Sequence, residues 1–103
     1  MKAIFNRNCV LVGWYEPKNK NVFSKEMQWI GFINSGYFFS ESVRWLGGFI
    51  NGTFVDKKGK PVAWIEGSTP LGASVLMQPL TPLRPLSPLG GWSVLDWNKY
   101  IKS

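Results

Sequence analysis

The sequence predicts an all-β fold: four β-hairpin repeats of about 16 residues around a pseudo-fourfold axis, followed by a polyproline-II-like tail. Three observations point there. Four segments align without gaps for 13 positions, turn-forming residues recur at fixed places within them, and prolines then recur every third residue near the C-terminus.

The units span residues 4–21, 22–37, 38–53 and 54–69, beginning IFNRNCVLVGWYE, VFSKEMQWIGFIN, FFSESVRWLGGFI and FVDKKGKPVAWIE. Position two is Phe5, Phe23, Phe39 and Val55; position three is a small polar turn-former, Asn6, Ser24, Ser40 and Asp56. Position nine is aliphatic (Val12, Ile30, Leu46, Val62) and position ten is tiny (Gly13, Gly31, Gly47, Ala63). Sixteen residues suit two short strands and two turns, and are too few for a helix pair or a propeller blade. Asp56-Lys57-Lys58-Gly59 reads as a turn inside its unit, while Asn34-Ser35-Gly36, Asn51-Gly52 and Glu66-Gly67 close theirs. β-Branched and aromatic residues flank these turns.

A lone hairpin is barely stable, so the four must share a core. A closed radial array achieves this, and it explains four glycine or alanine residues in register as places of close backbone approach. Pro61, inside a predicted strand, points to an edge position.

These residues resemble the four-fold β-flower family of small bacterial proteins. The likeness rests on the repeat over residues 4–69, its glycine-then-aromatic signature, and a proline-rich tail ending near a tryptophan. The resemblance implies a fold and a bacterial source; it brings no activity, cofactor or catalytic residue. Gly48, where other units carry an aromatic, departs from strict symmetry.

Two regions are therefore expected: a repeat domain over 1–69, and a Pro/Leu-rich tail over 70–103 whose short C-terminal segment packs on it. Prolines 79, 82, 85 and 88 are each followed by a leucine, and three residues per turn would align Leu80, Leu83, Leu86 and Leu89 on one edge. Straight, residues 76–89 would extend roughly 43 Å, longer than a domain of this size. The leucine edge, with Trp92 and Trp97, is thus a candidate interface with a second copy, most simply a twofold dimer. Pro79 to Arg84 also fits a pattern read by proline-binding grooves. Residues 92–102 read as a short helix capped by Ser93, or as a strand.

The chemistry is sparse. There is no histidine, and Cys9 has no second cysteine in the chain, so the usual zinc sites and intrachain disulfides are excluded. The acidic residues lie at or near turns, apart from one another, although Glu16 and Glu66 share a repeat position. No catalytic constellation, metal site or cofactor is expected, and the chain is read as a non-catalytic structural or interaction module that self-associates. The alternative is a ligand-binding domain in which Trp14, Trp29, Trp45 and Trp64 face a quaternary ammonium or a sugar. The +6 net charge with interleaved rings also allows weak single-stranded nucleic-acid binding, though the charge is dispersed and no nucleic-acid partner is expected. An unidentified protein partner fits the module reading. No apolar run reaches spanning length and no membrane partner is expected; a cytoplasmic location follows.

Overall fold

The computed structural model describes residues 1–68 and 91–103. Eight strands form one closed antiparallel barrel in sequence order: β1 (Lys2–Asn6), β2 (Leu11–Glu16), β3 (Asn21–Ser24), β4 (Trp29–Asn34), β5 (Tyr37–Ser40), β6 (Trp45–Ile50), β7 (Thr53–Val55) and β8 (Pro61–Ile65). The β1–β8 seam closes it, with Ile4 opposite Ile65, Phe5 opposite Trp64 and Asn6 opposite Ala63. One helical turn, α1 (Trp97–Ile101), follows.

Each unit is one hairpin, and all four are built alike. The amide of residue three donates to the carbonyl of residue seven, and the amide of residue six donates back to residue three: Asn6/Val10 with Cys9, Ser24/Gln28 with Met27, Ser40/Arg44 with Val43, Asp56/Lys60 with Gly59. This is a three-residue loop whose last residue is left-handed, at φ 61°, 67°, 62° and 84° in turn. The polar residue at position three holds it. Oδ1 of Asn6 accepts from Asn8 and Val10, Oδ1 of Asp56 from Lys58 and Lys60, and the hydroxyls of Ser24 and Ser40 accept from Gln28 and Arg44. Two-residue turns at Ser35-Gly36 and Asn51-Gly52, both residues at positive φ, link units two to three and three to four.

A bulge recurs at the same place in every unit. Val22 faces Gly31 but Phe23 faces Trp29, so Ile30 is the extra residue; Val12, Leu46 and Val62 are its counterparts. Bulges add twist, which closes so small a barrel. They also turn the ninth residues towards the core, where Leu46 and Val62 are buried and Val12 and Ile30 pack against it.

The first residues of the units, Ile4, Val22, Phe38 and Phe54, fill the centre and are wholly buried. Tyr15, Ile33, Phe49 and Ile65 join them from position twelve, with the Tyr15, Phe49 and Phe54 rings 4.7–4.9 Å apart in succession. The tenth residues lie close to the backbone of the next unit. A side chain on Gly13, Gly31 or Gly47 would collide with the carbonyl oxygen of Phe23, Phe39 or Val55 respectively. Crowding is therefore against the neighbouring strand and not, as symmetry alone suggests, around the axis.

Two sequence expectations are corrected. Pro61 is not at an edge, because β8 pairs with both β7 and β1; it is the first residue of its strand, where a missing N–H is tolerated. Residues 97–101 are helical, but the cap is Asp96, whose Oδ1 accepts from the Lys99 amide. Ser93 points instead into the barrel mouth. Leu80, Leu83, Leu86 and Leu89, and the polyproline-II reading, lie outside the described residues.

Candidate functional site

Strand alternation sends positions one, ten and twelve inward and positions two, eight and eleven outward. Trp14 and Trp64 occupy position eleven, while Trp29 and Trp45 occupy position eight. All four tryptophans therefore stand on the outer wall and do not surround the axis. What occupies the axis is the core itself and, at one end, α1. Trp97 is buried against Phe38 and Phe54, at ring separations of 6.3 and 5.4 Å, and Tyr100 is wholly buried beside them.

The plug is fastened by two polar contacts. The Tyr100 hydroxyl donates to the Val55 carbonyl at 2.8 Å, passing Gly47, where a Cβ would stand 3.0 Å from that hydroxyl. Ser93 Oγ donates to Asp56 Oδ2 at 2.6 Å, and the Ser93 amide donates to the Pro61 carbonyl. Burial opposes the charge on Asp56, but the Ser93 hydroxyl, the Lys60 and Lys58 amides and the Lys58 charge outweigh it and hold the carboxyl below its ordinary range. Burial, aided by the Asp56 charge, pushes the Tyr100 phenol well above its ordinary value.

The outer wall is uneven. Over β7 and β8 it is covered, with Thr53, Val55, Pro61 and Trp64 buried and Trp92 packed on Trp64 at 5.9 Å. Over β4 to β6 it is open. Trp29 and Trp45 are 45 % and 42 % exposed, Tyr37 and Ile50 are exposed too, and Phe32 and Phe39 lie half-buried between the tryptophans. Phe32 stacks on Phe39 at 5.5 Å and on Trp29 at 6.4 Å, and Phe39 pairs across the strands with Trp45. The ammonium of Lys57 lies 5.4 Å above the Trp45 ring, so that ring face takes a cation. Gly48 leaves a gap in this belt, opposite Tyr37.

Besides Asp56, three acidic side chains hold amide groups. Glu16 accepts from the Asn19 amide and the Asn21 side chain, Glu66 from the Ala3 amide, and Asp96 caps α1. Among the described residues no group of three histidine, cysteine, aspartate or glutamate side chains could hold a metal ion. A cleft of about 70 Å³ between Arg7, Trp92 and Asp96 is well below the roughly 300 Å³ of ordinary ligand pockets. Of the predicted interface residues, Trp97 is spent on the core and Trp92 on Trp64. Sequence reasoning missed the Ser93–Asp56 and Tyr100–Val55 fastenings, which join residues 37 and 45 positions apart and leave no local pattern.

No curated protein and no solved structure matches the chain. A family model described as the 4-fold beta flower protein matches residues 2–101, nearly the whole length. The repeat, its fourfold bulges and the closed eight-strand barrel accord with that description, and the chain belongs to the four-fold β-flower family.

Proposed function

We propose that the chain is a non-catalytic interaction module that self-associates through the open wall of β4 to β6. The observation that carries this reading is the pair of exposed tryptophans, Trp29 and Trp45, flanking the stacked Phe32 and Phe39 rings, whereas Trp14 is half-buried and Trp64 is buried. Contiguous exposed apolar surface marks an interaction site. A second copy suits it because the adjoining hairpin tips carry both signs, Lys25 beside Glu26 and Glu41 near Arg44. A twofold pairing of like walls can set each base against an acid.

Light scattering on the intact chain and on Trp29→Ser/Trp45→Ser tests it. The intact chain should associate as concentration rises and the variant should stay monomeric; a monomer at every concentration for the intact chain refutes self-association. The cation above Trp45 supports a second reading, a small cationic ligand on the same belt. Choline titration followed by tryptophan fluorescence separates the two: saturation by choline favours the ligand, no response favours the wall as a protein surface.

A further inference from the structure

Up-and-down topology puts the four three-residue loops at one end of the barrel, and α1 with its lead-in closes that same end. Three of the left-handed loop positions, where unit four has Gly59, hold Cys9, Met27 and Val43. A β-branched residue at positive φ is an outlier, and Val43 gains no burial there: it is 67 % exposed. Met27 is about half exposed, as is Val10 in the first loop, and Val94 beside α1 is 87 % exposed. The apolar side chains of Val10, Met27, Val43 and Val94 thus stand exposed together at the plugged end.

The charge at this end is positive. Each loop presents a basic residue, Arg7, Lys25, Arg44 and the Lys57 group, and Lys99 and Lys102 extend from α1. Four acidic residues share this end, Glu26, Glu41, Asp56 and Asp96, so the eight basic side chains there leave a surplus of four positive charges. Trp29 and Trp45 stand two residues beyond the left-handed loop positions, on the outside, as a ring-bearing collar. Apolar tips, an aromatic collar and surplus lysine together fit the depth profile of a bilayer interface.

We infer that the plugged end of the barrel docks on an anionic lipid surface, with Met27 and Val43 entering the interface and the basic loops meeting the headgroups. This revises the expectation of no membrane partner; it uses the loop tips Met27 and Val43, which the module reading does not, while Trp29 and Trp45 border both surfaces. Like-charged ends disfavour a second copy here. Monotopic contact also requires no spanning helix, and none of the described helices is long and apolar enough to cross a membrane.

Co-sedimentation of the intact chain with vesicles tests this directly. The chain should pellet with phosphatidylcholine vesicles containing about a quarter phosphatidylserine, and not with phosphatidylcholine alone. Met27→Gly/Val43→Gly relieves the positive φ at both positions, so its melting temperature should match or exceed that of the parent. Its partitioning should nevertheless fall by about tenfold or more. Failure of the intact chain to bind anionic vesicles at low salt overturns the inference. So does undiminished binding by the glycine variant, which would show that charge alone acts, as on any polyanion including nucleic acid. Light scattering without vesicles should not distinguish this variant from the parent, so the two surfaces are tested separately.

Discussion

At position six of each unit the same backbone geometry meets four different side chains, and the consequences differ. Gly59 adopts its left-handed conformation freely, while Val43 does so against the clash of its branched Cβ. Val43→Gly should therefore raise stability by about 1 kcal/mol, after allowing for the extra freedom glycine gains in the unfolded chain. Urea denaturation would measure it, and a loss would show that Val43 has an intramolecular role. Position ten makes the opposite demand. Gly31→Ala drives a Cβ into the Phe39 carbonyl, so it should cost about 1–3 kcal/mol by overpacking. Gly36→Ala, whose Cβ would make only an ordinary contact with the Phe49 carbonyl oxygen but at φ of 82°, should cost about 1–2 kcal/mol through backbone strain. The glycines at position ten were legible from sequence as sites of close approach. Their partner was not, because the colliding carbonyl belongs to the next unit and only the register reveals it.

The element least legible from sequence is the plug. The segment from Trp92 to Lys102 carried a helix-or-strand ambiguity because five helical residues are too few to fix a period. Its rings did announce a need for burial; where they go depends on Gly47 leaving room for the Tyr100 hydroxyl and on Asp56 accepting Ser93. Position three looked like a turn-former in all four units, and it is one; in unit four Asp56 also accepts from Ser93 in the tail. The fastening sets a pH dependence with a definite sign. Asp56 is held below 3.8, its ordinary value, so its contribution is complete above that pH and is lost as the pH falls through the lowered folded value. Tyr100 is raised well above 10.0, so its contribution is complete below pH 10 and is lost as the pH rises through the folded value. Asp56→Asn should flatten the acid limb of a stability-against-pH curve, and Tyr100→Phe the alkaline limb. An unchanged acid limb in Asp56→Asn would remove the carboxylate from the account of how the tail is held.

At the scale of the molecule, the repeat read from sequence survives as geometry down to single hydrogen bonds, because each unit meets the next through the same register. What periodicity could not convey is which face of a strand each ring occupies. The bulge adds a residue between positions eight and ten, so counting by twos along the even strands goes out of step there. That is why four tryptophans, one to a unit, looked like a single ring around the axis but form two outer sets, Trp64 buried beneath Trp92 with Trp14 half-buried, and Trp29 with Trp45 open on β4 to β6. The claim that this open wall is where copies meet is most directly tested by iodide quenching of tryptophan fluorescence over a range of protein concentrations. Trp29 and Trp45 should be quenched in dilute solution and become protected as the chain associates; quenching that stays the same at every concentration would contradict the account.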